Sequence, residues 1–219
     1  MRTVLLLVCA VGLLGAARPS LSPAAVRPLG EVSLTTVRYQ GREALRVADA
    51  APAGSQADQF VVLGGPDFHD GVIELWVAGE PGPAASATAR GFVGVMFRLS
   101  ADAKAGEAFY LRPTNGRAED QERRNHAVQY VSRPDWPWER LRRETPSRYE
   151  SYADLQPGRW HRMRVEVGGA RARLYVDGAE QPTLIVNDLK LGAEARGAVA
   201  LWIGPGTVAH FAGVTVEGR

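Results

Sequence analysis

Arg162-Met163-Arg164-Val165-Glu166-Val167-Gly168-Gly169-Ala170-Arg171-Ala172-Arg173-Leu174-Tyr175-Val176-Asp177-Gly178 alternates polar with apolar residues on both sides of a glycine pair. A period of two places the apolar members on one face of an extended strand, so two such runs joined through Gly168-Gly169 read as a hairpin with one face packed and the other wet. Asp177-Gly178 ends the second strand with a further turn signal. Outward from this hairpin, β-branched and aromatic runs recur at 32–37, 44–47, 60–63, 72–77 and 92–99, and again at 198–203 and 207–211, where Gly204-Pro205-Gly206 bends the last pair. Helical periodicity is scarce. Short strands separated by Gly, Pro, Asn and Asp at this spacing predict an all-β sandwich.

The chain has 219 residues, 45% hydrophobic and 23% charged, enough to bury the core of one domain without disulfides or a metal. Its 26 Lys+Arg stand against 24 Asp+Glu, a net charge of +2 that carries no signature of a nucleic-acid binder. Only Lys104 and Lys190 are lysines; the remaining basic residues are all arginines. At the start, Met1-Arg2, an apolar run over 4–14 and Gly15-Ala16-Ala17 have the charged head, short hydrophobic middle and small-residue exit of a cleaved signal peptide spanning 1–17. A secreted or periplasmic location is therefore expected. The apolar run is shorter than the ~20 residues a membrane-spanning helix needs, so stable membrane insertion is not expected. Cys9 follows Leu6-Leu7-Val8, which lacks the small residue of a lipoprotein signal. Cleavage would leave no cysteine, and stability would rest on packing alone. The Pro/Ala-rich stretch 18–29 reads as a flexible spacer and 30–219 as one domain.

The segment 112–150 differs from its flanks. It lacks a clear strand pattern and carries clustered charge together with Tyr130, Trp136, Trp138 and Tyr149. Loops of this length in compact domains tend to be functional, and the aromatic residues argue that this one packs on something. Short helical turns are expected around 139–143.

From about Val32 onward the chain resembles the concanavalin A-like lectin/glucanase sandwiches, and within them a group of secreted bacterial domains named for 3-keto-disaccharide hydrolase. The resemblance is carried, in order, by Phe68-His69-Asp70-Gly71-Val72-Ile73-Glu74, Gly91-Phe92-Val93-Gly94-Val95-Met96-Phe97-Arg98, Pro157-Gly158-Arg159-Trp160-His161-Arg162-Met163-Arg164-Val165 and Leu174-Tyr175-Val176-Asp177-Gly178. It implies two antiparallel sheets in jelly-roll order with sugar bound or processed on a concave sheet. Two positions depart from the hydrolase-like members. Phe109-Tyr110-Leu111-Arg112-Pro113 stands where those members often have Tyr-Glu-x-Gln, and Leu201-Trp202-Ile203-Gly204-Pro205 where they often have Leu-Gln followed by His or Asp.

A saccharide presents hydroxyl groups and flat C–H faces, so its site needs convergent polar side chains beside an aromatic platform. The candidate binding residues are Arg98, Arg112, Asn115, Glu119, Gln121, Arg124, Asn125, Gln129, Trp136 and Trp138. Each has a plainer reading. The two tryptophans would serve equally well as a plug anchoring the loop, and Arg98 and Arg112 as cross-strand ion-pair partners of Glu74 or Glu107. The Glu-x-Asp-x-x-Glu strand motif that aims two carboxylates across a glycosidic bond is absent, which disfavours a retaining mechanism. The resemblance implies instead elimination from a 3-keto sugar, which needs one base and an electrophile; Asp120 and His126 are the catalytic candidates, with Arg112 beside the carbonyl. Arg140, Arg142 and Arg143, flanked by Glu139 and Glu144, read as a solvated ion-pair network rather than a polyanion site.

No histidine pair has metal-ligand spacing, and no cofactor is expected. Asp67, Asp70, Asn187 and Asp188 have the oxygen chemistry of a structural calcium site, but equally that of turn residues. Three functions remain open: a carbohydrate-binding domain, a hydrolase or lyase acting on 3-keto-glycosides, and a structural or protein-interaction module.

Overall fold

The computed structural model describes residues 15–219 apart from Ala53 and Ala84. The expected signal segment, Cys9 included, lies outside the described residues except for 15–17. In chain order β1 (Arg27–Leu29), β2 (Val32–Tyr39), β3 (Arg42–Asp49), β4 (Gln59–Val62), β5 (Gly71–Pro81), β6 (Val93–Leu99) and β7 (Gly106–Leu111) come first. Then follow α1 (Gln121–Asn125), β8 (Val128–Arg133), α2 (Trp138–Glu144) and β9 (Glu150–Ser151). The hairpin strands β10 (His161–Gly168) and β11 (Arg171–Val176), then β12 (Leu184–Val186), β13 (Ala198–Ile203) and β14 (Thr207–Gly218), complete the chain.

The strands form two antiparallel sheets of seven, ordered β1-β4-β13-β6-β7-β8-β9 and β12-β11-β10-β5-β14-β3-β2. This is a jelly-roll sandwich. The hairpin read from the sequence pairs Met163 with Val176 through Gly168 with Arg171, and Gly169, at φ +56°, takes the tight turn that a side chain would strain. The sheets face each other through Val165, Leu174, Leu75 and Phe211 of the second and Val95, Phe97, Phe109 and Leu201 of the first, all but excluded from solvent. Full burial of an aliphatic or aromatic side chain stabilises by about 1.5–3 kcal/mol, so this layer needs no covalent brace.

Two segments differ from their sequence reading. The stretch expected as a flexible spacer is built into the sandwich: Ala17 bridges to Val216, Val26 is buried in the core, and β1 pairs with β4 so that Leu29 stands opposite Phe60. Its few apolar residues suffice to anchor it. The segment 112–150 is an excursion with a strand through its middle. In that strand, β8, Val128 and Tyr130 are fully buried, so the excursion is two wall-forming arcs hung on one sheet strand.

The outer face of the first sheet carries a second apolar cluster that includes Phe60, Met96, Tyr110 and Trp202. Register fixes one row across this face. Glu150 pairs with Gln129, Gln129 with Tyr110, Tyr110 with Gly94, Gly94 with Trp202, and Trp202 with Phe60. Gly94 is the gap in the row. A Cβ there would come within 2.6 Å of the Tyr110 Cβ and 2.2 Å of the Phe109 carbonyl oxygen. Its absence lets the Tyr110 and Trp202 rings close to 4.3 Å.

Candidate functional site

A cleft of about 760 Å³ lies over this row. Its floor is Tyr110, Trp202, Phe92 and Val131; Phe92 meets Tyr110 edge-on at 5.9 Å. Trp138, at the start of α2, stands over one side, 37% exposed. The aromatic platform therefore comes from sheet and excursion together. The volume falls within the range of small-molecule sites, and polar groups converge on an apolar floor as such sites require.

Arg112 organises one end. Its guanidinium donates to Glu150 Oε1 (3.2 Å), the Tyr110 hydroxyl (3.1 Å), Gln129 Oε1 (3.1 Å) and the His126 carbonyl (3.0 Å). Burial pushes the Tyr110 phenol up to about 12, against the pull of Arg112, so its hydroxyl stays protonated at neutral pH and keeps a hydrogen to donate. Glu150 also accepts from both ends of Arg142, which reaches in from α2, and lies 3.5 Å from His126 Nε2. One buried carboxylate thus serves two guanidinium groups and an imidazole. Desolvation lowers the His126 pKa, against Glu150, and leaves the ring neutral at pH 7. Asn115 donates to the His126 carbonyl and accepts from Arg123 Nε, which links α1 to the turn after β7.

The sequence-derived candidates divide. Arg112, Asn115, Asp120, His126 and Trp138 line the cleft. Asp120 does so while capping α1, its carboxylate accepting from the Arg123 backbone N–H at 2.6 Å. Gln129 lies beside Tyr110 in the same row, fully buried, and accepts from Arg112. Glu119, Gln121, Arg124 and Asn125 lie outside the cleft: Gln121 donates to Asn125, and Arg124 donates to the Tyr152 hydroxyl. Expected as binding residues, they occupy the outward side of the short helix α1 and its approach. Trp136 packs on the core, sandwiched by Arg140 at 3.9 Å and Lys190 at 4.6 Å, and is the plug of the plainer reading.

Arg98 is a correction. Alternation along β6 predicts that it faces outward with Met96, but the pairing slips between Ala198 and Ala200 of β13, and Arg98 adopts φ +53°. This bulge turns the side chain into the sandwich edge. There it donates to the carbonyls of His69, Gly192 and Gly169 and to Asp70 Oδ1, and takes no part in the cleft. Its ion-pair partner is Asp70, neither Glu74 nor Glu107. Glu107 instead accepts from Tyr130 and from the Leu191 N–H, and Glu74 pairs with Arg162 and Arg164.

Of the residues considered for calcium, Asp70 is taken up by Arg98 and the Gly169 N–H, and Asp188 by Tyr149, Arg148 and Lys190. Among the described residues no group of three or more His, Cys, Asp or Glu side chains converges on one point. No described helix is long and apolar enough to cross a membrane.

Several lining residues carried no sequence signal of function: Asp58, Arg90, Arg123, Arg142, Tyr110 and Trp202. Crowding against the wall pushes the Asp58 carboxyl up to about 6, against the opposing pull of Arg133 and Trp202, although the residue itself keeps an exposed side.

No protein-family model matches the sequence, and no curated protein matches it either. Solved structures do. A carbohydrate-binding module, CBM66, from Bacillus subtilis superimposes with a TM-score of 0.59 at 16% identity, over 89% of this chain and 96% of that one. A Bacillus subtilis protein of unknown function with a galectin-like fold gives 0.56 at 12% identity, over 90% and 91%. A Parabacteroides distasonis protein described as a glycosyl hydrolase by inference gives 0.50 at 10%, over 92% and 98%. Identities this low speak for architecture and leave activity open. The chain has the concanavalin A-like, galectin-like sandwich fold.

Proposed function

We propose that this protein is an exported carbohydrate-binding domain whose cleft on the outer face of the first sheet takes a saccharide. The observation that carries this reading is a cleft of about 760 Å³ in which Phe92 and the exposed Trp138, backed by the buried Tyr110 and Trp202 pair, face the polar groups of Arg90, Arg123 and His126. Sugar rings stack their C–H faces on such floors while planar guanidinium and amide groups take the hydroxyls. The fold-level neighbours, one of them a carbohydrate-binding module, agree with this use of the fold. The signal-like sequence at 1–17 supports export to the periplasm or the exterior. A glycan array followed by calorimetry tests the reading: binding that Trp138→Ala weakens about tenfold in folded protein supports it. A structural or protein-interaction module would bind no glycan, and Trp138→Ala would then alter no glycan affinity.

A second reading, cleavage of 3-keto-glycosides, is favoured by one observation, that His126 lines the cleft together with Arg112. There His126 would take the C2 proton while Arg112 polarises the ketone; the electron pair left at C2 would expel the C1 oxygen as the C1–O bond breaks, and the departing alcohol would take the proton back from His126. Asp120, already capping a helix, is poorly placed to share in it. Release of product from a 3-keto-glycoside, lost in His126→Ala, would establish this reading; intact binding without turnover would reject it.

A further inference from the structure

The cleft is not electrically even. Five arginines line it: Arg90, Arg112, Arg123, Arg133 and Arg142. Arg112 and Arg142 share the single buried carboxylate of Glu150. Arg123 donates only to Asn115 and to the carbonyl and hydroxyl oxygens of Thr114, and Arg90 only to the carbonyls of Ala87 and Ala89. Among the described residues, neither the Arg90 nor the Arg123 guanidinium has a carboxylate within 4.0 Å, although the Asp120 carboxylate lies 2.6 Å from the Arg123 backbone nitrogen. The Arg90 guanidinium is also pulled below its ordinary value, by desolvation and then by the positive charges of Arg123 and Arg112. Like charges are therefore gathered here, and an arginine keeps its proton under such crowding.

The carboxylates of the cleft do not cancel this pole. Asp58 interacts with Arg133, Trp202 and Glu139. Asp120 holds its helix cap, and Glu122, in the first turn of α1, lines the cleft but is exposed and pairs with no arginine among the described residues. Arg90 and Arg123 are pinned by neutral oxygens, so their remaining N–H groups are held in place with no counter-charge. Guanidinium groups so arranged match a planar carboxylate or a sulfate ester.

Resting on the carbohydrate reading above, we infer that the saccharide is acidic, its carboxylate or sulfate held between Arg90 and Arg123 while its ring lies against Phe92 and Trp138. Asp58 and Glu139, at the far side, accept hydroxyl hydrogens from the same or the next sugar.

The test uses matched pairs on the full protein: polygalacturonate against its methyl-esterified form, dextran sulfate against dextran, and poly-L-glutamate as an acidic polymer without sugar. The expected result is at least about tenfold tighter binding of an acidic member than of its neutral partner, weakened by added salt. Arg90→Gln and Arg123→Gln should each remove most of that preference, lowering the ratio of acidic-glycan to neutral-glycan affinity by about tenfold in protein that a melting curve shows to be folded. The uronate and sulfate arms tell which anion is preferred. Equal affinity within both pairs, or a preference untouched by either substitution, overturns the inference while leaving the carbohydrate reading standing. Binding of poly-L-glutamate as tight as that of the acidic glycans, or binding of no glycan at all, overturns both.

Discussion

Arg112 Nη1 lies 3.2 Å from Glu150 Oε1, and the two side chains are only 6% and 3% exposed. They come from opposite ends of the excursion, and through this contact the arc before β8 and the arc after it are fastened over the same sheet row. A buried pair of this kind adds little net stability compared with apolar residues of the same shape, but removing one member leaves an uncompensated charge.

Glu150→Gln should accordingly destabilise the protein by about 3 kcal/mol, because Arg112 and Arg142 both lose their counter-charge. Urea unfolding at pH 7 measures this. A loss below about 1 kcal/mol would mean that solvent reaches the pair.

Trp138 is the exposed member of the aromatic set, 37% accessible, with the Arg142 guanidinium 4.6 Å from its ring centre. Trp138→Ala should leave stability within about 0.5 kcal/mol while weakening saccharide binding about tenfold. Calorimetric titration beside a melting curve separates the two. A variant that loses stability and keeps its affinity would assign Trp138 to packing.

The reverse holds for Arg98. With four hydrogen bonds inside the sandwich edge, Arg98→Met should lower stability by more than about 3 kcal/mol, because it leaves buried carbonyls and Asp70 without their partner. Affinity per folded molecule should not change, since the side chain is nowhere near the cleft. A specific loss of binding in correctly folded Arg98→Met would contradict this placement.

On the second sheet, His210 stacks on Tyr39 at 3.7 Å, its Nδ1 buried without a partner. Desolvation, helped by Arg46, lowers its pKa from 6.5 to about 4. The unfolded chain then takes up a proton between pH 6.5 and 4 that the native state refuses, so this contribution is complete above pH 6.5 and is lost as pH falls towards 4. Its size is about 2–3 kcal/mol. His210→Phe keeps the stack and cannot titrate, so unfolding free energies measured at pH 7 and pH 4.5 should differ less in the variant than in the parent. Equal differences in both proteins would mean that His210 ionises normally.

The sandwich was legible because its strands are long enough for a period of two to show, as at Met163, Val165 and Val167 against Arg162, Arg164 and Glu166. β8 escaped notice because both its faces are covered: Val128, Gln129 and Tyr130 are all buried, and no alternation survives. Arg98 escaped for a different reason. Its direction depends on a slip in pairing with β13, a property of two distant segments that neither displays alone. Of the site, Arg112, Asn115, His126 and Trp138 were found because dense polar and aromatic composition marks a wall. The floor was missed because Tyr110 and Trp202 look like ordinary strand aromatics until Gly94, from a third strand, brings them together.

The order of side chains along β7 has a consequence for engineering. Tyr110 on the floor is flanked by Phe109 and Leu111 in the sandwich interior, so redesign of the platform would disturb the scaffold. The arcs on either side of β8 bear fewer such contacts, anchored to the core chiefly through Trp136, Leu141 and Tyr149. Exchanging them between sandwiches of this shape, with the Arg112 and Glu150 clasp retained, offers a way to retarget the domain while its framework stays as it is.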